Sequence, residues 1–148
     1  MVSEGGLRKP VREVIDIDNP KFWDHNDLDG ELRRQFDVCH SCRRCFNLCD
    51  SFPKLFDLID DAPSMELDTV DSSKFKSVVD ACTLCDMCFM VSCPYVPPHE
   101  FAIDIPSIFI RYKALENKKK KNLVDAQIAN TDMNGKIGVF FSAITNFL

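Results

Sequence analysis

Apolar residues recur at helical spacing in four stretches of this chain, and few segments alternate as a strand would. Over residues 31 to 38, Leu32 and Phe36 stand four apart with Gln35 beside them, which predicts a short helix turning that face inward. Phe46, Leu48, Phe52, Leu55, Phe56, Leu58 and Ile59 follow at near-helical spacing, and Pro53 is expected to interrupt that run. A second entry helix is predicted over residues 74 to 81, with Phe75, Val78 and Val79 on one side. A third begins near Pro106, since proline suits a first helical turn, and carries Ile108, Phe109, Tyr112 and Leu115 on one stripe before Lys118 to Lys121. The fold class expected is mainly α.

The segments between divide the chain. Residues 1 to 30 hold Pro10, Asn19, Pro20, Gly30 and several aspartates, and read as irregular. Val11, Val14, Ile15, Ile17, Phe22 and Trp23 are apolar enough to dock, so this is an ordered N-terminal arm, with His25 a surface or capping residue. Asp57, Asp60, Asp61, Glu66, Asp68 and Asp71 surround Pro63 in an acidic linker whose spacing fits no calcium loop. Residues 31 to 121 form the central domain, and 122 to 148 a helical extension. Its apolar run from Ile137 to Leu148 ends without a capping signal, which predicts a longer protein continuing beyond it.

The candidate chemistry lies in eight cysteines gathered in two groups. Cys39, Cys42, Cys45 and Cys49 form the first; Cys82, Cys85, Cys88 and Cys93 form the second. Three thiols two residues apart, then a fourth, is the spacing of bacterial ferredoxins that hold cubane iron–sulfur clusters. A three-residue step lets the backbone wrap a cluster and aim successive sulfurs at different irons. Zinc is the weaker reading, because its tetrahedron takes two C-x2-C pairs and leaves the third cysteine of each triplet surplus. Disulfides fit poorly with an opening that lacks an apolar export segment, and a cytoplasmic setting keeps thiols reduced. A thioredoxin-like pair would need a βαβ pattern that is missing.

Each cysteine group follows a short helix and precedes an apolar segment, so the chain reads as a twofold repeat offset by about forty residues. In two-cluster ferredoxins the fourth cysteine of each run serves the other cluster. Carried over, one [4Fe-4S] cluster takes Cys39, Cys42, Cys45 and Cys93, and the other takes Cys82, Cys85, Cys88 and Cys49. The second run departs from the pattern, with four residues between Cys88 and Cys93 instead of three, and a bulge is one way to absorb the extra one. His40 is a possible substitute ligand, although a supporting or surface role fits better. Arg43 and Arg44 either offset cluster charge or face solvent. His99 and Glu100 are expected to cap the last helix, with no chemical role assigned.

The runs F-D-V-C-H-S-C-R-R-C-F-N-L-C-D and C-T-L-C-D-M-C-F-M-V-S-C-P-Y-V-P-P-H-E-F resemble bacterial iron–sulfur oxidoreductases. The likeness is to proteins related to the C subunit of anaerobic glycerol-3-phosphate dehydrogenase and to heterodisulfide reductase. It covers Glu4 to Lys121 and includes the four-residue gap before Cys93. It implies an α-helical ferredoxin domain with two [4Fe-4S] clusters. Electrons would pass from a redox partner such as a flavin dehydrogenase subunit to a quinone or a thiol–disulfide couple. This is an electron-transfer component of an oxidoreductase with no catalytic residue of its own in this chain. The paired C-C-G motifs of that family are absent here, so the chain is either a truncated catalytic protein or a stand-alone carrier.

Composition narrows the partners. The net charge of −5 argues against nucleic acid, and bound clusters would add negative charge. No apolar run is long enough to span a bilayer, so the expectation is a cytoplasmic protein, at most peripheral to the membrane.

Overall fold

The computed structural model describes residues 9–119 and 123–142. The expectations that fall on the opening residues, on Lys120 and Lys121, and on the terminal run from residue 143 lie outside them. Two compact units divide the chain after Leu115. No strand occurs among the described residues, and the elements are helices joined by turns.

In the first unit the arm is held by polar contacts. Val11 N–H donates to Pro97 O at 3.0 Å, and the Trp23 indole donates to Ile17 O at 2.8 Å. Val11, Val14, Ile15 and Ile17 are exposed, so their expected docking does not occur; Phe22 and Trp23 alone are half-buried. Asn19 caps a 3-10 turn, Pro20–Trp23, and Asp24 then caps helix α1, His25–Cys42. The Asp24 carboxylate accepts from the Asn26 and Asp27 amides, satisfying two of the donors that open a helix.

α1 thus begins six residues before the expected start and continues through Cys42. Leu28, Leu32, Gln35 and Phe36 form its buried face. Arg43, at φ 50°, ends it in the left-handed region, with its N–H on Cys39 O. Helix α2, Ser51–Asp60, carries Pro53 in its first turn, where a missing N–H costs nothing, so the expected interruption does not happen. Helix α3, Phe75–Asp80, buries Phe75, Val78 and Val79. Helix α4, Ile105–Lys119, places Pro106 in its first turn and buries Ile108, Phe109 and Leu115. Its opening is capped by Asp104, which accepts from Ser107 N–H and Oγ–H, and not by His99 or Glu100.

Phe36 sits where three helices meet. Its ring lies edge-on to Phe75 of α3 at 5.2 Å and to Phe109 of α4 at 6.0 Å, a geometry worth about 1 kcal/mol per pair beyond burial. Ser51 Oγ–H donates to Val78 O at 2.8 Å and fixes α2 against α3. Gln35 is buried and ties α1 to the entry of α4: its amide donates to Glu31, and its Oε1 accepts from Asp104 N–H at 3.0 Å. Arg33 holds the acidic linker by donating to Leu67 O, Val70 O and Ser72 Oγ.

The second unit contains α5, Leu123–Ala129, and α6, Thr131–Phe140. Neither buries a residue, and Asn134 Nδ2–H donates across them to Gln127 O at 2.7 Å. No helix among the described residues is long and apolar enough to cross a membrane.

Candidate metal centre

The two cysteine groups are built differently, so the repeat seen in the sequence is only partial. Cys39 and Cys42 stand three apart on the last turns of α1 and share a face, and Cys45 lies in the turn that follows. The second group starts in irregular chain after α3. Leu84 and Asp86 both adopt left-handed backbone, at φ 56° and 67°, which swings the chain between Cys82, Cys85 and Cys88.

The extra residue before Cys93 has a definite solution. Cys88–Ser92 forms a single π turn, closed by Cys93 N–H donating to Cys88 O at 2.9 Å. A wider turn absorbs one more residue than an α turn and still returns the backbone to the same side.

These loops line two cavities. The first is bounded by Cys39, Cys42, Cys45 and Cys93, with Val38, Phe52, Phe56 and Ile103 as apolar wall and Arg44, Pro94 and Tyr95 at its side. The second is bounded by Cys49, Cys82, Cys85 and Cys88, with Leu48, Phe52, Thr83, Asp86 and Ile105 among its walls. Their volumes are small, about 20 and 10 Å³. Each combines three thiols from one group with the fourth from the other. A smaller void between them touches Cys39, Cys45 and Cys93 as well as Cys88. Phe52 lines all three spaces and stands between the two thiol sets.

Among the described residues no three His, Cys, Asp or Glu side chains gather as one metal ion requires. Tetrahedral zinc holds four sulfurs about 2.3 Å from a single point, hence about 3.8 Å from one another. A cube of iron and sulfide instead binds each thiolate at its own corner, so its ligands ring a body of finite size. Four thiols lining one cavity from several sides fit the second demand.

Burial and the neighbouring thiols favour the protonated form of Cys39, Cys45, Cys82, Cys88 and Cys93. Desolvation, then the neighbouring thiols, pushes Cys45 up to about 11 and Cys88 up to about 12. Cys39, Cys82 and Cys93 move the same way for the same first cause. Among the charges that raise Cys39, Cys93 comes first, and Cys49 is first among those that raise Cys82. Cys88, after desolvation, is raised first by Cys45, across the void that both thiols line. Cys85 alone is exposed.

Around the thiols the polar groups sort themselves. The Leu84 amide approaches Cys82 Sγ at 3.4 Å, and Lys113 Nζ donates to Cys82 O at 3.1 Å. Tyr95 lines the first cavity with Cys42, whose charge is the first cause that raises the pKa of the tyrosine hydroxyl. The two arginines of the first loop part company: Arg44 lines the first cavity, whereas Arg43 turns to Asp60, which it shares with His40. His40 Nε2 lies 2.9 Å from Asp60 Oδ1 and lines neither cavity, so it is not placed to replace a cysteine. Tyr95 and Asp86 were missed as site residues in the sequence. Their nearness to a cysteine was the one signal available, and adjacency does not say which way a side chain points.

Compared with known proteins, the chain matches no family model, no curated protein and no solved structure.

Proposed function

We propose that this chain is an electron-transfer module carrying one [4Fe-4S] cluster in each cavity. Cys39, Cys42, Cys45 and Cys93 hold the first cluster, and Cys82, Cys85, Cys88 and Cys49 hold the second. The observation that carries this reading is the lining of the cavities: two separate sets of four thiols, each set completed by a cysteine from the other half of the sequence. A bound cluster supplies one-electron redox chemistry.

The chain's own residues do the rest. Val38, Phe56 and Ile103 exclude water from the first cavity, and Phe52 occupies the space through which the two sets approach each other. Arg44 beside Cys45 and Cys93 lessens the negative charge there, which favours the reduced form of a cluster in that position. The Leu84 amide directs a hydrogen-bond donor at the Cys82 sulfur, an arrangement with the same sign of effect. The module serves an oxidoreductase of the type that the cysteine motifs resemble. It accepts electrons from a dehydrogenase partner and passes them to a quinone or a thiol–disulfide couple. Acidic surface charge, at −5 before any cluster is added, favours a partner that presents cations.

Metal and acid-labile sulfide analysis of anaerobically purified protein tests this. Iron and sulfide at about eight each per chain are expected from two [4Fe-4S] clusters. Zinc without sulfide would overturn the proposal.

A further inference from the structure

One basic residue of the N-terminal arm reaches the wall of the second cavity. Arg12 Nη1 and Nη2 donate to the two carboxylate oxygens of Asp86 at 3.0 and 2.7 Å. Its Nε and Nη2 donate to both oxygens of Asp104 at 2.6 and 2.9 Å. The guanidinium lies 4.0 Å above the centre of the Phe89 ring, which is itself buried. Asp86 lines the second cavity between Cys85 and Cys88, in strained left-handed backbone. Asp104 caps α4. A single side chain therefore joins the arm, the second cysteine loop and the start of a core helix, across sequence separations of 74 and 92 residues.

We propose that Arg12 is a positioning residue for the second cluster, clasping the Asp86 turn onto α4 and balancing its charge. The proposal rests on the two-cluster reading above, and the geometry gives it two separable effects. Doubly bidentate pairing fixes a backbone conformation that a non-glycine residue adopts at a cost, so the clasp offsets strain within the ligand loop. One cation faces two carboxylates. Its removal leaves Asp86 uncompensated at the cavity wall, with Ser107 the remaining side-chain partner of Asp104.

The test uses full-length, anaerobically reconstituted protein with Arg12→Ala and Arg12→Lys, read by redox titration of each cluster and by iron release to a chelator. In Arg12→Ala the second cluster's midpoint potential falls, since uncompensated negative charge disfavours reduction. Its iron leaves about tenfold faster or more, the usual scale for groups that support metal ligands. The first cluster keeps its potential. Arg12→Lys restores charge without the planar fork, so the potential recovers while the iron stays labile. A purely structural prop would not split the two readouts in this way.

Unchanged potential and release rate in Arg12→Ala would overturn the proposal, as would parallel loss of both clusters. If wild-type protein holds no iron, the electron-transfer reading fails by itself. The clasp is then judged by amide exchange at residues 84 to 90, which quickens in Arg12→Ala if Arg12 holds that turn and is unaltered if it does not.

Discussion

Replacing Cys49 with alanine removes a thiol that belongs by sequence to the first group and by position to the second cavity. It lines the space with Cys82, Cys85 and Cys88, and it raises the pKa of both Cys82 and Cys88 through its charge. Cys45 also senses Cys49, four residues away along the same loop, but Cys49 does not line the first cavity. The lining decides, because a ligand must reach the cluster and not merely its neighbour. The variant should therefore lose about four of its about eight irons, with the matching sulfide, all from the second cluster. Cys93→Ala should lose the same number from the first. Two reference variants assign the spectra without further assumption: Cys42→Ala lacks the first cluster and Cys85→Ala the second. EPR of dithionite-reduced Cys49→Ala should then match Cys85→Ala, and that of Cys93→Ala should match Cys42→Ala. The opposite pairing would refute the crossed assignment and leave each loop serving its own cluster.

Other outcomes follow from the packing and the charges. Phe52→Ala deletes a ring 4% exposed that separates the cavities, and should cost about 3–5 kcal/mol in anaerobic urea unfolding; a loss below about 1 kcal/mol would mean that the ring is not part of the packed core. Gly30 lies inside α1 with nothing within 4 Å of an added Cβ, so Gly30→Ala should stabilise by about 0.5–1 kcal/mol, read as a rise in the unfolding midpoint. Cluster assembly should weaken as pH falls from about 9 to 6. Binding needs thiolates, whereas burial holds the free Cys45 and Cys88 protonated up to about 11 and 12. Each ligand thus releases a proton, at about 1.4 kcal/mol per pH unit and proton, and reconstitution yields across that range measure the slope.

Helix positions were legible where apolar spacing was dense. Leu32, Gln35 and Phe36, then Phe75, Val78 and Val79, and then Ile108 and Phe109 all face inward as their periodicity predicts. The start of α1 was not legible, because Asp24, Asp27, Asp29 and Gly30 look like loop composition. Asp24 is in fact the cap, and Gly30 is carried by its neighbours. Pro53 misleads in the same way, since a breaker at the third helical position breaks nothing. The arm shows the reverse error: apolar residues pointed to docking, but Arg12, Val11 N–H and the Trp23 indole hold it through polar bonds. Cysteine spacing marked two groups of four, whereas the exchange of Cys49 and Cys93 between them came from the two-cluster ferredoxin pattern and not from spacing. Nor could spacing supply the wall between the cavities, since Phe52 is one of many phenylalanines in the chain.

The second loop carries a π turn between two cysteines that stand one residue farther apart than Cys45 and Cys49 in the first. Cys88 and Cys93 line different ones of the two main cavities and share the void between them, so the segment joining them passes from one to the other within five residues. In an α turn residues five apart lie about 140° from one another around the axis, whereas the wider π turn brings them nearer to one side. The π turn shifts the following residue, and Cys93 then leaves it in extended backbone with its N–H still bonded to Cys88 O. Phe89, inside the turn, is buried beneath Arg12, which holds the bend from the outer side. In the first loop the same crossing is made between Cys45 and Cys49 by ordinary turns, closed by Leu48 N–H on Cys45 O. The two halves of the sequence therefore solve one geometric problem with different backbone. That is why a repeat plain in the cysteine spacing fades in the helices around it.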